Sequence, residues 1–81
     1  MNDKNYIEQV ANMLGVELLE EFKIKPTKVA EILGYKKDER IFRFDSELVH
    51  KGYSDGRSEW YGNCGDILYY LILELYEVAK L

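Results

Sequence analysis

The 81 residues suffice for one domain and leave little spare chain for a substrate cleft, in the size range where a single core supplies about 3 to 5 kcal/mol of net stability. Hydrophobic residues make up 47% and aromatics 14%, with a single Pro, which is the composition of a globular chain and excludes a disordered one. One Cys excludes an internal disulfide, and eleven Lys plus Arg against fifteen Asp plus Glu leave a net charge of −4, which opposes phosphate binding as the dominant activity and suits docking on a basic protein groove.

Ile7, Val10, Ala11 and Leu14 recur at helical spacing, so residues 3 to 14 are expected to form an amphipathic helix capped by Asn2 or Asp3 and stopped by Gly15 in a left-handed conformation. Residues 21 to 25 alternate charged and apolar side chains up to Pro26, which cannot donate to a ladder, and predict a short strand. Thr27 can cap a brief helix carrying Val29, Ile32 and Leu33 on one face, closed by Gly34. The alternation at 40 to 45 predicts a second strand with Phe42 and Phe44 on one side. Residues 48 to 53 and 57 to 61 flank Ser54-Asp55-Gly56, whose Asp and Gly favour a tight turn, so they read as a hairpin. Asn63 or Asp66 can cap a last helix with Ile67, Leu68, Leu71, Ile72 and Leu75 as a broad apolar stripe, expected to be the main core element. Residues 76 to 80 can extend that helix or return as a strand with Tyr76 and Val78 on one face, and we favour the strand.

The pattern VAxxLG occurs at 10 to 15 and again at 29 to 34. Two copies fall short of the three that a repeat array needs, and the echo reads as two helices each ending on Gly. The fold class that follows is α+β. A single domain, residues 1 to 81, has two longer terminal helices and a short middle one packed on a small antiparallel sheet.

The segment 52 to 65, GYSDGRSEWYGNCG, holds four of the six glycines, the only Trp and the only Cys, and is the one stretch not obviously spent on packing. Glycines open backbone conformations closed to other residues, while aromatic and charged side chains between them can grip a partner. Tyr53, Asp55, Arg57, Glu59, Trp60, Tyr61 and Asn63 are therefore the candidate binding residues.

Other chemistries are weaker. Residues 27 to 35 resemble the opening of a helix-turn-helix, but strand-like alternation follows where a recognition helix would have to stand. Cys64 near a helix start, with His50 and Asp66 available, invites a thiol nucleophile, yet a lone Cys is more often a small packing residue. One Cys and one His do not make a zinc site, and the carboxylates are not spaced like a calcium loop, so no metal, cofactor or catalytic residue is expected. Residues 62 to 65 could offer backbone N–H groups to an anion, with Lys51 and Arg57 nearby, although the ending of a phosphate-binding loop is missing.

Residues 13 to 17 leading into 21 to 24, then 42 to 48 (FRFDSEL), the Trp60 segment and the Leu-rich stretch ending YEVAKL resemble a group of small uncharacterised phage and prophage proteins. Those proteins run LGVxxxExFxI, a YRFTEDGL-like strand, a Trp, a leucine-rich helix and EYEIVKL. This chain has Glu74 where they usually carry a Gly between the last helix and the final strand, and lacks their Pro-Trp-Lys-Pro tail. The resemblance covers most of the chain and carries over no catalytic residue. With the charge, it implies a non-enzymatic accessory protein that occludes a host protein, in its concrete form an anti-CRISPR-like inhibitor of an antiviral nuclease complex. Asp38, Glu39, Asp55 and Glu59 would then stand in for phosphates in a cationic groove. The rival expectation is a nucleic-acid-binding regulator or a nucleotide or small-anion module using Lys36, Lys37, Arg40, Arg43 and Arg57. A polar N-terminal stretch and the lack of an apolar run of membrane-spanning length predict a cytosolic location without membrane contact.

Overall fold

In the computed structural model, which describes residues 3–81 with side chains from residue 6 onward, the alternating segments pair into one antiparallel sheet and the helical segments gather on one of its faces. In chain order the elements are α1 (Asp3–Met13), β1 (Phe22–Pro26), α2 (Lys28–Ile32), β2 (Phe42–Phe44), β3 (Leu48–Ser54), β4 (Arg57–Tyr61), α3 (Gly65–Ile72) and β5 (Tyr76–Lys80). The strand order is β4-β3-β2-β1-β5, so the chain is an α+β domain with β4 and β5 at the edges of its sheet. The cap expected at Asn2 or Asp3 lies outside the described side chains.

Residues 76 to 80 form the strand rather than a longer helix, pairing along all of β1 from Phe22↔Lys80 to Pro26↔Tyr76. That strand needs a sharp exit from α3, and all three helices leave in the same way. In α1, Val16 N–H reaches Ala11 C=O at 3.0 Å and Gly15 N–H reaches Asn12 C=O at 3.0 Å, the paired bonds of a Schellman stop. In α2, Tyr35 bonds to Ala30 at 2.9 Å and Gly34 to Glu31 at 3.1 Å; in α3, Leu75 bonds to Tyr70 at 2.9 Å and Glu74 to Leu71 at 3.2 Å. The residue that turns left-handed is Gly15 (φ 86), Gly34 (φ 94) and, at the third stop, Glu74 (φ 60). The VAxxLG echo thus marks two equivalent helix stops, and the third is made without the glycine that would spare it the left-handed strain.

The core lies between the sheet and α1 and α3. Phe22, Ile24, Phe42 and Phe44 are fully buried, and the Phe22 ring stacks on those of Phe42 and Phe44 with centroids 6.2 and 5.9 Å apart. Ala11, Val16, Cys64, Ile67 and Leu71 close it from the helix side. Two expectations need correction. The weight of the core is carried by the strands more than by α3, because that helix ends at Ile72, which is exposed, and Leu75 falls in the turn beyond it. The apolar stripe of α2 points outward, with Ile32 84% exposed and Val29 and Leu33 also exposed, while Ala30 is the residue that packs. The anchor at Thr27 explains this orientation: its hydroxyl donates to Glu74 C=O at 2.8 Å and its N–H to Leu75 C=O at 3.0 Å. Small Ala30 then lets the helix backbone close on the sheet, and Tyr35 swings in to meet Tyr70 and Tyr76 edge-on at 5.7 and 6.1 Å.

β2 is three residues long, shorter than the alternation at 40 to 45, since the Asp38 carboxylate captures Arg40 N–H at 3.0 Å at one end and Asp45 N–H turns to Glu47 C=O at 2.8 Å at the other.

Candidate functional site

Asp55 (φ 53) and Gly56 (φ 75) both adopt positive φ, which makes the two-residue loop between β3 and β4 a type I′ turn whose twist matches that of its strands. The ladder runs without a bulge from Ser54↔Arg57 to His50↔Tyr61. Residues 53 to 59 are exposed throughout, because the helices pack chiefly on β1, β2 and β5. Tyr53, Asp55, Arg57 and Glu59 therefore stand together on a rigid projecting ribbon, with Tyr53 76% exposed.

The register divides the candidates between the two faces of the sheet, with Tyr53 and Trp60 on one and Arg57, Glu59 and Tyr61 on the other. Trp60 lies opposite Lys51 on the face away from the helices, and Arg43 holds it there, the guanidinium carbon 4.1 Å from the ring centroid and Lys51 Nζ 5.8 Å away. Val49, paired with Arg43, is buried on this face. The cations here are matched by carboxylates: Lys23 with Glu39 at 3.9 Å, Lys25 with Glu77 at 3.5 Å, Arg43 with Asp45 at 3.7 Å and Lys51 with Glu21 at 3.9 Å. A phosphate arriving on this face would have to break existing pairs.

Tyr61 lies on the other side. Its ring stacks on His50 at 5.7 Å and covers Gly52, where a Cβ would come within 2.5 Å of it, so Gly52 is there for the close approach of an aromatic ring. The hydroxyl donates to Glu59 Oε2 at 3.2 Å, and partial desolvation together with the Glu59 carboxylate raises the Tyr61 pKa.

The other predicted residues are not gathered with these. Asp38 is turned inward, its side chain 18% exposed, and holds Arg40 through a bidentate pair, Nη2–Oδ2 2.8 Å and Nε–Oδ1 3.1 Å. This hydrogen bonding to Arg40 lowers the Asp38 pKa, and the same contact raises that of Arg40. Asp38 is thus a structural carboxylate, and its neighbour Glu39 points away toward Lys23 and Lys37.

Asn63 is exposed with φ 66, and neither it nor Asp66 caps α3: the N-cap is Cys64, without a side-chain bond, and Asp66 sits in the first turn. The Cys64 thiol faces Gly62 and Tyr61 carbonyls at 3.9 and 4.0 Å, and burial pushes its pKa up, the opposite of what a nucleophile needs. The Glu47 carboxylate lies where a Gly62 side chain would stand, which sets a negative charge against the loop that an anion would have to enter.

One feature escapes any reading of the sequence alone. Between α1, α3 and β5 runs an open groove of about 660 Å³ whose apolar lining includes Val10, Leu14, Leu71 and Val78, with Tyr6, Met13 and Ile72 exposed along it. The helical periodicity marks the buried side of α1 and α3, but it does not tell how far apart the two helices stand. No family model, no curated protein and no solved structure matches the chain.

Proposed function

We propose that the protein acts by binding another protein and performs no chemistry of its own. The observation that carries this reading is the rigid, unbulged β3–β4 ribbon, whose residues 53 to 59 are all exposed and whose root is pinned by the Arg43–Trp60 stack. Binding energy concentrates in a few preorganised aromatic and Arg side chains, and Tyr53, Arg57 and the half-buried Trp60 supply that combination at low ordering cost. The buried, high-pKa Cys64 thiol supports the same reading against a nucleophile.

The sharper form rests on the resemblance to phage proteins and on the net charge of −4: the partner is a host nucleic-acid-processing defence protein with a cationic groove. In that complex Asp55 and Glu59 take the place of phosphates, while Asp38 stays with Arg40. The nucleotide or nucleic-acid reading is disfavoured by three of its five cations, since Lys37, Arg40 and Arg43 are already engaged by Glu39, Asp38 and the Asp45–Trp60 pair.

The test is affinity capture from host lysate with the wild-type protein and with a Tyr53→Ala/Arg57→Ala variant of unchanged melting temperature. The expected result is a captured protein that the variant loses. Capture lost instead by Ile72→Glu in the groove, or steeply salt-dependent binding of random DNA by the purified protein, would overturn the assignment.

A further inference from the structure

We propose that β4 is a pairing edge for a second copy of this chain, which joins two five-stranded sheets into one across a two-fold axis at Ser58.

In a two-residue hairpin the residues flanking the loop form the bonded pair, here Ser54 and Arg57. Bonded and non-bonded pairs then alternate, so Arg57, Glu59 and Tyr61 spend their backbone groups on β3. Ser58 and Trp60 turn theirs outward. An open edge with regularly spaced donors and acceptors is a template for another strand, and proteins usually blunt it with a bulge, a Pro or like charges. The β4 ladder has no bulge and no Pro.

In an antiparallel pair centred on Ser58, Ser58 meets Ser58 as a bonded pair, and the outward groups of Trp60 come opposite the turn residue Gly56 of the other copy. Arg57 of each copy then lies directly opposite Glu59 of the other. These are non-bonded positions, where side chains on facing strands come closest, and opposite charges there attract while like charges repel. All three residues are exposed, and Arg57 makes no ion pair within its own chain among the described residues. The arrangement is self-complementary, as an isologous two-fold interface requires. The opposite edge has no such charge complementarity: centred on Val78, β5 would set Glu77 against Ala79 and Lys80 against Tyr76.

Sedimentation equilibrium of the purified protein over a concentration series tests the pairing, together with amide hydrogen exchange. A monomer–dimer equilibrium is expected, with protection of the Ser58 and Trp60 amides rising with concentration while the Arg57 and Glu59 amides, already bonded to β3, stay unchanged. Ser58→Pro removes an outward N–H without touching the β3 ladder, so it should abolish the dimer at an unchanged fold by circular dichroism. Arg57→Glu should weaken dimerisation about tenfold or more, and the exchange Arg57→Glu/Glu59→Arg should restore it to near the wild-type value. A wild-type protein that stays monomeric at millimolar concentration overturns the proposal. So does a dimer indifferent to these changes, or one dissociated by Met13→Glu in the α1–α3 groove. Loss of lysate capture with dimerisation intact would strike the proposed function and leave this inference standing.

Discussion

The two halves of the sheet differ in what supports them. Along β1 and β2 the inward Phe22, Ile24, Phe42 and Phe44 are sealed from water, and the Phe22, Phe42 and Phe44 rings stack in the interior. Along β3 and β4 the burial fades toward the turn, and order comes instead from backbone geometry: a type I′ loop, a glycine covered by a tyrosine and an arginine lying on a tryptophan. One half is stable because it excludes water. The other is rigid while remaining wet, which is what a contact surface needs if it is to bind without a large ordering cost.

The strongest way to break this contrast is to empty the covered half. Phe22→Ala should cost about 3 to 5 kcal/mol and Leu71→Ala about 2 to 5, enough to unfold much of so small a domain, and urea denaturation midpoints will report it. A mild effect at Phe22 would mean that the packed half is not where stability resides. The helix stops come next. Gly15→Ala should destabilise by about 1 kcal/mol even though a Cβ there meets nothing within 4 Å, since the cost is the left-handed backbone alone. Glu74→Gly should act in the opposite direction and stabilise by up to about 1 kcal/mol, relieving the one helix stop built without glycine.

A subtler handle is pH. The Asp38 pKa is depressed in the folded state by its hydrogen bonds to Arg40, so its contribution is present above the ordinary Asp value and is lost as the pH falls through the folded one. The destabilisation caused by Asp38→Asn should therefore be larger at pH 7 than in the acid range below pH 4. An equal penalty at both would show that the pair with Arg40 contributes nothing. Smallest in stability are changes on the ribbon: Tyr53→Ala and Arg57→Ala should shift unfolding by less than about 0.5 kcal/mol while each weakens partner binding by more than about 1 kcal/mol. A ribbon substitution that melts the domain would merge the two halves that we separate.

Most of the fold was legible in the sequence because its elements carry short-range signatures. The Asp55-Gly56 turn and the glycines after Leu14 and Leu33 act through local backbone chemistry as expected, and alternation at 21 to 25 and 40 to 45 marks a strand at each place, although β1 runs on through Pro26 and β2 is cut to three residues. The final strand was harder, since Glu74 hides a helix stop normally announced by Gly. What periodicity could not convey is orientation and reach. The stripe of α2 faces solvent because Thr27, bonded to the backbone of Glu74 and Leu75 far along the chain, sets the direction of the helix. Likewise Asp38 looked like a free surface carboxylate, but Arg40, two residues on, folds back to claim it. Of the candidate site, the hairpin residues share one ribbon, but Tyr53 and Trp60 were divided from Arg57, Glu59 and Tyr61 between opposite faces, and the groove between α1 and α3 left no local trace.

The pairing of β1 with β5 also sets the order in which the molecule can be built. Pro26 lies beside Tyr76, fifty residues further along the chain, whereas the β3–β4 hairpin closes over two residues. Local ribbons form on the microsecond scale, but pairing across a long loop must first overcome the entropy of closing it. Until residues 76 to 80 arrive, β1 stands as a bare edge, and α2 lacks the carbonyls that hold Thr27. During synthesis the hairpin can therefore take shape well before the hydrophobic centre is complete. The ribbon that we propose as the contact surface is ready before the part that keeps the molecule folded.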